Sequence, residues 1–161
     1  MTGNQYADLI ASYLVFNFED RGIRVYREVT LGKTIIGKNR RLDLFVVDAR
    51  TNVGFALECK YQDSVGTVDE KIPYALADLD AIAMPAGLVY AGKGFSKGIQ
   101  DMLSAAPKAA YCLPEYEHWR RTQRTRELDH MLAIAFGWWD VVIGTKKPFP
   151  SPREADPNKA P

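Results

Sequence analysis

Cysteine and histidine are scarce, with only two of each among 161 residues. Cys59 lies inside one apolar run and Cys112 near the end of another, so both are expected to be small core fillers in a reducing compartment, with a single disulfide the alternative. His118 and His130 lack metal-ligand spacing and a nearby cysteine pair, which argues against a zinc site. No apolar run is long enough to span a membrane. The start, Met1-Thr2-Gly3-Asn4-Gln5, lacks the basic and then apolar pattern of a signal peptide, so a cytoplasmic location with no membrane partner is expected. Charge of one sign is missing too: 21 basic and 20 acidic side chains leave +1. Nothing global advertises a nucleic-acid partner, and one would have to be met by charge gathered locally. Candidate clusters are Lys38-Asn39-Arg40-Arg41, Lys93 with Lys97, and Arg120-Arg121-Thr122-Gln123-Arg124-Thr125-Arg126. Solvated charged faces look the same, and for any one cluster that is the preferred reading. There is no internal repeat.

What remains is a globular composition, 47% hydrophobic and 25% charged. A single domain is expected over residues 1–146, with a core over about 3–112 and a helical extension over about 114–146. The proline-rich stretch 147–161 is expected to be a flexible tail.

Periodicity supplies the elements. Tyr6, Leu9, Ile10, Tyr13, Leu14 and Phe16 mark a helix over about 4–20 that Gly22 stops. Ile23, Val25, Arg27 and Val29 alternate as a strand, which the Thr34-Ile35-Ile36 stretch could extend. Leu42 to Val47 and Phe55 to Tyr61 complete an antiparallel meander across the turn Thr51-Asn52-Val53-Gly54. Thr67-x-x-Glu70 reads as a capping box for a helix whose face is Ile72, Ala75, Leu76, Leu79 and Ile82, with Pro73 in its first turn. A buried strand at Gly87 to Ala91, a helix over about 96–105 and a short strand at Lys108 to Cys112 follow. Pro114 is expected to open a long helix running through His118, Trp119 and Leu128 to Phe136, and Trp138 to Ile143 a last strand or apolar plug. The order α-β-β-β-α-β-α-β with a helical extension predicts a three-layer α/β sandwich around a mixed central sheet.

Two of these strands carry charge inside apolar runs: Asp43 within Arg40 to Val47, and Glu58-Cys59-Lys60-Tyr61-Gln62. Alternation places Glu58, Lys60 and Gln62 on one face. Charges in apolar strands are costly unless paired or holding a metal. Two acids and a lysine converging at one sheet edge suit Mg²⁺-assisted phosphodiester cleavage. The tripeptide alone is weak, since chance supplies about one acid-x-Lys match in such a chain. Asp69-Glu70-Lys71 is a decoy of that kind, opening a helix, whereas Glu58 and Lys60 sit in a strand behind a second acid-bearing strand. The bland alternative is an ion pair on a half-exposed sheet.

With Asp43 and Glu58-Cys59-Lys60 on successive strands, the pattern over Gly3 to Tyr111 resembles the PD-(D/E)XK nuclease superfamily, the fold of restriction endonucleases and archaeal junction resolvases. Gln62 matches a glutamine that some branches carry two residues after the lysine, and Ser64 to Tyr74 is similar to a segment of restriction-like members. Leu42-Asp43 replaces the Pro-Asp that names the family. Ala7 stands where several branches place a first-helix glutamate, so an outer acid is either supplied by Asp8 or missing.

The resemblance implies a Mg²⁺-dependent DNA endonuclease, Mn²⁺ substituting, that leaves a 5′-phosphate and a 3′-hydroxyl. Asp43, Glu58 and the Cys59 backbone carbonyl would hold the metal, Asp8 adding a ligand only if it serves as the outer acid. Lys60 would orient water or offset phosphorane charge, and Gln62 would bond the water or a phosphate. Lys38, Arg40, Arg41, Lys71, Tyr74, Arg120, Arg121 and Arg124 are the candidate DNA contacts. DNA and a second copy of the chain, forming a homodimer, are the expected partners, with no small-molecule cofactor. The alternative is a catalytically degenerate nuclease-fold module that binds nucleic acid or assembles with a larger DNA-processing complex.

Overall fold

A computed structural model describes residues 1–152. Helix α1 (Gly3–Phe18) leads through a 3₁₀ turn (Glu19–Arg21) into β1 (Ile23–Lys33), β2 (Asn39–Asp48) and β3 (Val53–Tyr61). Then come α2 (Val68–Asp80), β4 (Ala86–Ala91), α3 (Lys97–Ala105), β5 (Ala109–Tyr111), α4 (Arg126–Phe136) and α5 (Trp139–Ile143). The five strands lie in the order β1-β2-β3-β4-β5, antiparallel through β3 and parallel from β3 to β5. The expected mixed-sheet α/β sandwich is therefore what the chain forms.

Each face of the sheet has its own apolar core. Tyr6, Leu9, Ile10, Tyr13 and Leu14 line α1 at helical spacing and pack with Leu44, Val46, Leu57, Leu128 and Leu132. Ile72, Ala75 and Leu79 of α2 and Leu103 of α3 cover the other face, against Leu42, Ala56 and Leu88. Even-numbered residues of β2 would normally share a face. Here Leu44 and Val46 belong to the α1 side and Leu42 to the α2 side. On β1, Val25 and Leu31 divide in the same way. Both strands thus exchange faces at the Glu28 and Asp43 level, where Glu28 has a left-handed φ of 55°.

Several local expectations are corrected. The capping box lies at Thr2 and Gln5, on α1. Thr67 makes no side-chain cap; Gln62 Oε1 instead accepts from the Val68 N–H at 3.0 Å. Pro73 sits beyond the first turn of α2, because that helix begins at Val68. Thr34, Ile35 and Ile36 turn the chain rather than extending β1. The long helix expected from Pro114 starts only at Arg126. Left-handed φ at Glu117 and Trp119 breaks it, and Thr125 Oγ1 bonds back within the Thr122 turn. Residues 138–143 contribute the short helix α5, with Trp138 buried and stacked between Phe18 and Phe136. Among residues 147–152 of the expected tail there is no helix or strand, and 153–161 lie outside the described residues. No helix among the described residues is long and apolar enough to cross a membrane.

Candidate active site

The face exchange on β2 sets up the site. Backbone pairing of β2 with β3 runs from Asp48↔Val53 to Leu44↔Leu57. One residue further on, the Cys59 N–H donates instead to Asp43 Oδ2 at 2.8 Å. The carboxylate thereby replaces a ladder acceptor and is fixed against β3, beside Glu58. Glu58 and Lys60, two apart on β3, emerge on the α2 side as alternation requires. Lys60 Nζ donates to Glu58 Oε1 at 2.5 Å, and both side chains are largely covered, 18% and 24% exposed.

They open onto a hollow of about 360 Å³ between β2, β3 and α2, lined also by Thr34, Arg40, Arg41, Lys71, Tyr74 and Asp78. Burial raises the Glu58 carboxyl above its ordinary pKa; Lys60 pulls it down, but the neighbouring Asp43 charge pushes it up again. Burial works against the Lys60 ammonium as well, yet Glu58 and Asp43 outweigh it and leave its pKa raised, so the lysine is charged at neutral pH. The result is a crowded pair of carboxylates sharing one cation, one positive charge short of neutral.

The residues present fit a divalent metal through that crowding. Two hard oxygen donors repel each other across a covered pocket, and a cation between them would relieve the repulsion. The fit is to one ion completed largely by water and phosphate: among the described residues no group of three or more His, Cys, Asp or Glu side chains converges to hold a metal.

The other candidates divide. Arg41, Lys71 and Tyr74 do border the hollow. Lys38 lies in the adjoining β1–β2 turn, exposed. Arg40 also borders it but is committed: its Nε and Nη2 grip Asp78 Oδ2 and Oδ1 at 2.8 and 3.0 Å, and it is 8% exposed. It is a buried structural cation rather than a free phosphate contact. Gln62 is corrected likewise. Its Nε2 donates to Asp69 Oδ1 and the Gly94 carbonyl at 2.8 and 2.7 Å, and its Oε1 accepts from Val68, so both amide donors are spent and none is left for a phosphate. It ties the end of β3 to the start of α2 and to the loop after β4. That loop passes so close that a Cβ on Gly92 would lie 2.0 Å from the Gln62 carbonyl oxygen.

Asp8 is paired with Arg27 at 3.1 Å and lines a separate hollow with Gln5, Leu113 and Trp119. The structure does not bring it to Glu58, because Ala7 and Asp8 differ by about 100° of helix rotation. Arg120, Arg121 and Arg124 lie in the segment before α4, which packs on the α1 side. Arg121 bonds Asp129 at 3.0 Å and caps the Phe18 ring. That cluster is on the opposite layer from Glu58 and Lys60.

Two residues of the hollow escaped the sequence reading, Thr34 and Asp78. Asp78 had a signal: it falls at i+4 from Tyr74 and i+7 from Lys71, beside the buried stripe Ile72, Ala75 and Leu79. Arg40, the one cation in the buried alternation of β2, was its visible partner.

A family model described as a PD-(D/E)XK nuclease superfamily domain matches residues 2–139. No curated protein matches the chain. The matched span runs from the cap of α1 into α5 and takes in every strand and the whole hollow.

Proposed function

The chain belongs to the PD-(D/E)XK nuclease superfamily, and on that premise we propose that it is a Mg²⁺-dependent DNA endonuclease acting through Asp43, Glu58 and Lys60. The observation that carries this reading is the covered Glu58–Lys60 pair with a second carboxylate pressed against it, open to a basic-rimmed hollow.

Bound Mg²⁺, or Mn²⁺ in its place, supplies Lewis acidity toward the scissile phosphate and lowers the pKa of water. Asp43 and Glu58 would hold it through carboxylate oxygens, with the Cys59 carbonyl as a third donor. Asp43, already anchored by the Cys59 N–H, presents its free oxygen without having to be ordered first. Lys60 keeps its proton at neutral pH and so acts as a donor and point charge against the phosphorane rather than as a base. Arg41 and Lys71 seat the flanking phosphates, and Tyr74 bounds the same wall.

The enzyme is expected to work in the cytoplasm as a homodimer, so that two sites meet two strands. The exposed apolar side chains Phe16, Trp139 and Ile143 are available for self-association. One observation favours the alternative of a degenerate DNA-binding module: α1 supplies no free acid, Asp8 being paired with Arg27.

Cleavage of labelled single strand, linear duplex, flap and four-way junction with Mg²⁺ or Mn²⁺ separates the two. Metal-dependent cutting lost in both Lys60→Ala and Asp43→Asn supports the nuclease. Binding without cutting supports the module.

A further inference from the structure

The β1–β2 hairpin forms one wall of the hollow and carries a tip its own fold does not require. Ile35 and Ile36 stand 48% and 60% exposed at the turn, where polar residues are the norm. The turn is nonetheless stiff. The Thr34 N–H donates to the Lys38 carbonyl at 2.8 Å, the Gly37 N–H to the Thr34 carbonyl at 2.9 Å, and the Lys38 N–H to Thr34 Oγ1 at 3.2 Å. Gly37 takes the left-handed φ of 77° that closes it. The Ile35 N–H is bonded at 2.8 Å to Asp78 Oδ1, the carboxylate that also grips Arg40, so the tip is fastened to α2.

Around the two isoleucines the chemistry is cationic. The Lys38 side chain has no partner among the described residues, and Arg41 reaches only Glu28 at 3.4 Å, both of them exposed. Lys71 faces the same opening from α2. Two apolar side chains are too small an area for a stable protein interface. Carried beside Lys38 and Arg41 on the hairpin that walls a phosphodiester-cutting site, they match the apolar wedges that nucleic-acid-binding proteins press between base steps.

We propose that the β1–β2 hairpin is a wedge for DNA whose stacking is already interrupted, such as a branch, bulge or nick. Ile35 and Ile36 enter the weakened base step while Lys38, Arg41 and Lys71 hold the adjoining phosphates. Unstacking is cheapest where a duplex is already damaged or branched, so the hairpin selects DNA by structure rather than by sequence. The proposal rests on the nuclease reading for its substrate, but not for its readout.

The test places 2-aminopurine at the branch point of a four-way junction and, as control, inside a linear duplex. Full-length Lys60→Ala protein keeps the DNA intact. The junction probe should brighten severalfold on binding and the linear probe should not. Ile35→Ser/Ile36→Ser in that background should return the probe to near its free level while changing the dissociation constant less than about threefold. Its circular dichroism should be unchanged, since both positions are exposed. Lys38→Ala should lower the salt slope of binding by about one. Brightening unaffected by the isoleucine changes overturns the wedge, as does a dimer that these changes turn into monomer. Wild type that cuts junctions while the probe stays dark sinks the wedge alone. Protein that brightens the probe but cuts nothing with either metal sinks the nuclease reading alone. No DNA binding at all sinks both.

Discussion

Two acid–cation pairs face the same hollow and are built differently. Asp78 receives Arg40 in a two-bond fork and the Ile35 N–H besides. The Arg40 bond, chiefly, holds its carboxyl below the ordinary range. Glu58 has one bond, from Lys60, and a like charge beside it in Asp43. Burial, chiefly, pushes its carboxyl above the ordinary range. The first pair is complete, and its chemistry is spent on fastening the hairpin to α2. The second is short of positive charge. Shifted acids of that kind gather at functional sites, because a charge deficit is what a metal or a charged substrate fills.

The widest separation between the pairs is expected in activity. Lys60→Ala should cut the cleavage rate on the order of 10³-fold. Its effect on stability should be small, because Glu58 can take up a proton once its partner is gone. Arg40→Ala should do the opposite, unfolding in urea with a loss of about 3–5 kcal/mol as the buried Asp78 loses its cation and keeps only the Ile35 N–H. Comparable stability losses in both variants would break the distinction.

pH separates them next. The Asp78 pKa is depressed on folding, so its pairing adds stability above its unfolded value of about 3.9 and loses it as pH falls through the folded value. The Glu58 pKa is raised, so its contribution is full below about 4.3 and lost as pH rises through the folded value. Urea midpoints measured across about pH 3 to 8 should therefore fall less steeply toward acid in Asp78→Asn than in wild type. In Glu58→Gln the neutral side should gain relative to the acid side. Divalent-metal affinity should rise with pH through the Glu58 titration, above the usual carboxylate range, because the proton and the metal compete for the same oxygens.

The smallest effect is expected on the far layer. Arg121→Ala should leave DNA affinity within about twofold and cost about 1 kcal/mol of stability, because its part-exposed guanidinium pairs with the buried Asp129. A loss of affinity matching that of Lys71→Ala would return the arginine cluster to the DNA-binding surface.

Much of this was legible in the residues themselves. The element order, the mixed sheet and the acid–x–lysine strand followed from period and turn chemistry, since each apolar run has one face to bury. The break at Asp43 was not: it depends on both β1 and β2 exchanging faces at one level, and alternation within either strand alone looks regular. Gln62 matched a motif by spacing, yet its bonds go to Asp69, Gly94 and Val68, which only the fold brings near. Pro114 to Thr125 was rich in helix-compatible residues, but its backbone turns at Glu117 and Trp119. Sequence alone places Arg40 among candidate DNA contacts, because its partner Asp78 lies 38 residues away.

The most direct measurement is Mn²⁺ binding followed by the electron paramagnetic resonance of the free ion, on wild type, Glu58→Gln and folded Asp78→Asn protein. Wild type should bind saturably, Glu58→Gln should lose that binding and Asp78→Asn should retain it. No binding in wild type, or binding that survives Glu58→Gln, would contradict a metal site at Glu58.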